Sequence, residues 1–371
     1  MHYLPIIVPL LLSIAVSPLA GQDKERKKSG GKVQGIAVDA DQKADAKNGI
    51  FYHDGMRVSV WEKKKLLDGY VRHKHTKMLI PAADAEKANA GQFPLGDGQW
   101  GDMAAADKYH DSSTHPWVLR TRSCYLVSPL SFNILSQQVA NITDSVQPKL
   151  MMICGGSEVH PDRIPVILVL PTTDAYIKFG DAYGGAGSSH GAFFTDSEQF
   201  TMPIAGKDRS VAVCNWGAKG WDQYYARHAA GLALADSYFG KDSINVPSWF
   251  HRGFGGYSSR LFSSQVASFF GKQHADKGGS PKDLAKWFAD FKISGDNPAR
   301  GAGSNDYQVY QAGLLIKFCM QGGDKASTNA LVAVTKAISS GKGVSKAVKK
   351  LHGVLESKSD AVAAYLAKVT G

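Results

Sequence analysis

Residues 225–260 read YARHAAGLALADSYFGKDSINVPSWFHRGFGGYSSR. Small and apolar residues recur here at helical spacing, and one helix is expected across 221–239. Its interior Gly231 costs roughly 1 kcal/mol relative to Ala, so that helix needs support from tertiary packing. Pro247 suits the first turn of a second helix, where its missing N–H has no intrahelical partner to lose. Trp249, Phe250, Phe254, Tyr257 and Leu261 are then available to pack.

The same stretch has the frame of a metal site. A zinc peptidase of the HExxH type puts two His one helical turn apart, so that both imidazoles face one metal. A Glu between them polarises the metal-bound water. His228 stands at the first ligand position, Ala229 where the general base belongs and Leu232 where the second His belongs. Arg252 follows His228 by 24 positions, in the phrase Pro247-Ser-Trp-Phe-His-Arg-Gly-Phe-Gly-Gly-Tyr257. That phrase resembles the P-x-W-x-x-E-G-x-A-x-Y signature of the peptidase MA-like gluzincins, with Arg in place of the metal-binding Glu.

The resemblance covers roughly Pro116 to the C terminus and implies a zincin-like domain over 115–371. In that family a strand, a helix and a strand precede the motif. Here 115–129 reads as a strand, 130–153 as a helix and 164–171 (IPVILVLP) as a buried strand. Two strand-like runs follow, 191–195 and 210–215, and 307–320 matches the family's next helix. The resemblance implies a degenerate member, a pseudopeptidase with no catalytic residue. Ala229, Leu232 and Arg252 mark the lost base and ligands, and His228 is the sole metal-ligand candidate left. Zinc is therefore not expected. The cleft candidates are His228, Trp249, Arg252, Tyr257 and Tyr310, with His228 facing Arg252 across the cleft. The alternative is a secreted zinc metallopeptidase or hydrolase with a rearranged site.

The chain-wide pattern is α+β, with strands first and a mainly helical C-terminal half. Residues 33–80 read as a small β-rich region, with a hairpin turn at Tyr52-His-Asp-Gly55 and a strand at 56–61. Residues 81–114, rich in Ala, Gly and Asp, read as a connecting segment. Ser280-Pro281-Lys-Asp283 signals another helix start.

Residues 3–20 carry no charge and end in small residues, and Lys-rich 24–28 follows. This is the pattern of a signal peptide over 1–20, with a disordered linker over 21–32. The expected location is secreted, periplasmic or in the cell envelope. A retained anchor is the alternative, although the apolar run is short for spanning. After signal removal no transmembrane helix is expected. The net charge of +10 favours acidic partners, but the Lys are scattered. A peptide, a protein or an anionic envelope polymer are all open as partners, and no nucleic-acid motif is present. Cys124, Cys154, Cys214 and Cys319 sit in apolar contexts that suit free buried thiols, with up to two disulfides as the alternative.

Other clusters favour structural readings. His73 with His75, and His110 with His115, could hold an adventitious metal, but a solvated surface is the commoner role. Gly184-Gly-Ala-Gly-Ser-Ser-His190 matches a phosphate loop only in glycine content. The sequon Asn141-Ile-Thr143 lies in an expected helix, and no G-x-S-x-G motif exists.

Overall fold

The computed structural model describes residues 51–153, 164–183, 192–196, 210–239, 246–260, 283–290 and 306–370. The expected signal, the linker and the Gly-rich 184–191 lie outside the described residues, as does Cys154. The fold is α+β, with both strands and helices well represented.

The N-terminal strands form three separate hairpins: β1 (Phe51–His53) with β2 (Met56–Val58), β3 (Tyr70–Arg72) with β4 (Leu79–Pro81), and β5 (Phe93–Gly96) with β6 (Gln99–Gly101). Asp54 and Gly55, both at positive φ, make the first turn as expected. The strand expected over 56–61 stops at Val58 instead. Ser59 caps helix α1 (Val60–Leu67): its hydroxyl accepts from Glu62 N, while the Glu62 carboxylate accepts from Ser59 N at 2.9 Å. This capping box outweighs the strand propensity of Val60 and Trp61.

Residues 81–114, expected as a connecting segment, contain regular elements. They hold α2 (Ala85–Asn89), the β5–β6 hairpin and α3 (Met103–His110), with Asp102 capping α3 through Ala105 N. Phe93 is buried against Trp117 and Phe132, so the segment is tied into the main core.

The single strand expected over 115–129 is a hairpin, β7 (Trp117–Arg120) and β8 (Tyr125–Ser128). Its turn is built on Asp144. That carboxylate accepts from Thr121 Oγ1 at 2.7 Å, Arg122 N at 3.0 Å and Ser123 N at 2.9 Å. The helix expected over 130–153 is interrupted. Helical turns across 132–144 include a π segment at Leu135–Val139, and α4 (Gln147–Ile153) starts afresh with Pro148 in its first turn.

The main sheet has five strands in the order β10–β11–β9–β8–β7, with β9 (Val166–Leu170), β10 (Ala192–Asp196) and β11 (Ser210–Asn215). β9 pairs in parallel with both β8 and β11, while β7 and β10 run antiparallel at the two edges. Successive residues of β9 and β11 enter different cores. Ile167, Val169, Ala212 and Cys214 face the large helical core. Val166, Leu168, Val211 and Val213 face a smaller one with Tyr176 and Phe179 of α5 (Thr173–Tyr183). The period-2 alternation thus buries both faces, which is why these strands are apolar throughout.

β11 leads directly into α6 (Asp222–Phe239), and α7 (Ser248–Arg260) packs on α6. α9 (Asp306–Gln321), which crosses α7, follows α8 (Leu284–Asp290). The chain then closes with α10 (Lys325–Ser340), α11 (Val344–Glu356) and α12 (Ser359–Thr370). Asp283 Oδ1 accepts from Lys286 N at 2.8 Å at the start of α8, at the expected signal. No helix among the described residues is long and apolar enough to cross a membrane.

Candidate functional site

The centre of the α6–α7–α9 group is held by close backbone approach. A Cβ built on Gly231 would lie 2.4 Å from Ser258 Oγ and 2.9 Å from the Phe254 carbonyl. Gly231 therefore lets α7 approach α6, which is the packing support that its helix cost required. Gly256 and Gly313 do the same between α7 and α9: a Cβ on Gly313 would lie 2.5 Å from the Gly256 carbonyl carbon.

His228 and Leu232 meet at one point of this contact. A Cβ on Gly255 would lie 2.9 Å from His228 Nε2 and 3.0 Å from Leu232 Cδ2. These two positions, one turn apart on α6, therefore converge on α7. Leu232 and Ala229 are fully buried, His228 is 7% exposed and Arg252 3%.

The electrostatics are unusual for a protein core. Burial, and then the Arg252 charge, push the His228 imidazole down to about 3, so it is neutral at ordinary pH. Burial also lowers the Arg252 guanidinium to about 10, while Tyr176 acts in the opposite direction. Two polar atoms here are left over. Among the described residues neither His228 Nδ1 nor Arg252 Nη2 meets a hydrogen-bond partner. A buried guanidinium N–H without a partner is costly, because its desolvation is not repaid.

The other cleft candidates lie in different surroundings. Trp249 is buried with its indole N–H donating to His352 Nε2 at 3.0 Å, and its ring packs on Trp287 and Phe288. Tyr257 is buried near Gln321 and Tyr365, and Tyr310 is buried within α9. The structure thus brings together His228, Leu232, Arg252 and Gly255, and places Trp249 and Tyr257 in the helical core. Gly255 was not singled out from the sequence, although the run Gly253-Phe-Gly-Gly256 is the signal of a helix face under close approach.

Two of the positions in this set offer no chemistry for hydrolysis. Ala229 cannot take a proton from water, and Leu232 has no lone pair. The donor set does not suit zinc: one imidazole stands beside a guanidinium where three ligands are needed. Among the described residues, no group of three or more His, Cys, Asp or Glu lies together.

The remaining histidine clusters are structural. His73 is fully buried; its Nδ1 accepts from His75 N and Thr76 N, and its Nε2 lies 2.8 Å from the Gln92 carbonyl. This corrects the expectation of a solvated surface for that residue. His110 lies against the carbonyls of His115 and Pro94, and its ring is 4.0 Å from that of Trp117. Cys124, Cys214 and Cys319 are free and buried, and burial raises all three thiols, Cys124 to about 11 and Cys319 to about 12.

In comparisons with known proteins, no family model matches this chain and no curated protein is similar to it.

Proposed function

We propose that this chain is an exported pseudopeptidase: a zincin-like, gluzincin-type fold whose catalytic apparatus has been replaced, acting by binding or as a cell-envelope component. The observation that carries the reading is the meeting of α6 and α7 at His228, Leu232, Arg252 and Gly255. The two helices follow a five-stranded mixed sheet in the chain, which supports the reading, and Ala229, Leu232 and Arg252 stand where hydrolysis would need a base and two ligands. The export part rests on the uncharged run 3–20 and the Lys-rich residues after it.

Two measurements test it. Elemental analysis of the purified protein, dialysed against a weak chelator, is expected to show no stoichiometric zinc, and peptide libraries are expected to remain uncut. About one zinc per chain that disappears in His228→Ala would make this a metalloenzyme instead. Mass spectrometry of the native N terminus is expected to show a start near Ala20 or Gly21. An intact Met1 in a cytoplasmic fraction would remove the export claim.

A further inference from the structure

The leftover polar atoms of the α6–α7 contact point to a ligand class. Arg252 Nη2 and His228 Nδ1 belong to side chains each more than nine-tenths buried, and neither atom has a partner among the described residues. The His228 ring has its Nε2 edge against Gly255 of the facing helix. A neutral imidazole can carry its one proton on Nδ1, which makes that atom a donor. The pair then offers two N–H groups and one positive charge.

We propose that Arg252 and His228 form a carboxylate-binding subsite, which takes the carboxylate of an acidic side chain or chain terminus of a peptide-like ligand. A carboxylate has the matching charge of minus one and accepts from a guanidinium with good geometry. A phosphate dianion would leave one negative charge uncompensated in the same low-dielectric place. Binding would give Arg252 the counter-charge that the described residues do not supply. This deepens the pseudopeptidase reading and rests on it: the ligand would occupy the place where a gluzincin holds metal and scissile bond.

The test uses the full mature chain and four probes: N-acetyl-alanine, N-acetyl-glutamate, the neutral N-acetyl-alanine amide and inorganic phosphate. Calorimetry and thermal melting are read together. Saturable binding of the two carboxylates near one per chain is expected, with the amide and phosphate at least about tenfold weaker, as loss of a charged hydrogen-bond partner implies. Arg252→Met should abolish the carboxylate-dependent rise in Tm while melting, without ligand, at or above the wild type, because it removes an unpaired buried charge. Arg252→Lys should retain weakened binding. No response to any carboxylate, an equal response to the amide or phosphate, or a rise in Tm that survives Arg252→Met would each overturn the subsite. A zinc-free, inactive protein that ignores carboxylates sinks the subsite alone, whereas bound zinc sinks the pseudopeptidase reading.

Discussion

The Trp249 indole N–H donates to His352 Nε2 across 3.0 Å, joining the start of α7 to α11. The His352 ring also stacks on Phe288, with centroids 4.0 Å apart and planes within 3°. The hydrogen bond requires a neutral imidazole, because a protonated Nε2 cannot accept. Burial accordingly pushes His352 down to about 4.

Acid should therefore destabilise the protein well before its carboxylates titrate. His352 and His228 have folded values near 4 and 3, against about 6.5 in an unfolded chain. Their contribution is full above pH 6.5. It declines as pH falls, because only the unfolded state takes up protons until the folded values are reached. Two such groups give a slope of roughly 2.7 kcal/mol per pH unit between about pH 5.5 and 4.5. Urea midpoints measured from pH 7 to 4 check this. His352→Gln, whose amide oxygen can still accept from Trp249, should flatten the slope by about one proton; an unchanged slope would show that His352 titrates normally.

Glycine substitutions should sort by what surrounds each residue. Gly255→Ala brings a methyl to 2.9 Å from His228 Nε2, and Gly313→Ala brings one to 2.5 Å from backbone of α7. Side chains yield more easily than backbone. The expected losses are about 1–3 kcal/mol for Gly255→Ala and the upper end of that range or beyond for Gly313→Ala. Gly353 lies in α11 with nothing within 4 Å, so Gly353→Ala should stabilise by about 0.5–1 kcal/mol. Chemical denaturation of the three variants tests the order. A Gly313→Ala protein as stable as wild type would refute the close α7–α9 approach.

Much of this architecture was legible because periodicity and burial agree. β9 reads VILVL because it lies between two parallel neighbours with both faces covered. The α6 and α7 pattern was legible for the same reason, and so was the turn at Asp54-Gly55. The misses share a different cause. Nothing local in 115–129 shows that Asp144, more than twenty residues later, will hold Thr121 to Ser123 in a turn. Phe93 anchors 81–114 only through Trp117 and Phe132, which lie in other elements. Trp249 was read as a cleft residue because a motif assigns roles by position, whereas its partner His352 is 103 residues away.

The N-terminal hairpins should depend on one buried carboxylate. Glu62 Oε1 lies 3.1 Å from Arg120 Nε and 3.4 Å from Arg72 Nη1, with all three side chains almost fully buried. Burial raises the Glu62 pKa, but Arg120, Arg72 and the Ser59 N–H together outweigh it and hold the group below its usual range. Its contribution is thus present at neutral pH and lost as pH falls through that lowered value. Glu62→Gln leaves two buried guanidinium groups without their counter-charge and also weakens the α1 capping box. A loss of about 3–5 kcal/mol is expected at pH 7, read from urea unfolding. A loss under about 1 kcal/mol would mean that the arginines find other anions.

Leu232→His together with Arg252→Glu should create zinc binding that the wild type lacks. His228 and Leu232 already converge on Gly255, so an imidazole at position 232 would face the same point. Its volume is close to that of Leu, and the site needs little repacking. Arg252→Glu removes the charge that repels a divalent cation and supplies an oxygen ligand at the third position. Without metal the double variant should be less stable than wild type, because it buries a carboxylate with no paired cation. Zinc should reverse that loss, since a ligand that binds only the folded state stabilises it by mass action. Hydrolysis is not expected, because Ala229 still provides no base. Competition against a chromogenic chelator measures the affinity, and melting with and without zinc measures the coupling. Adding His228→Ala to the double variant should weaken zinc at least about tenfold, as loss of one of three ligands implies. A folded double variant that binds zinc no better than wild type would show that positions 228, 232 and 252 do not share a metal-sized centre.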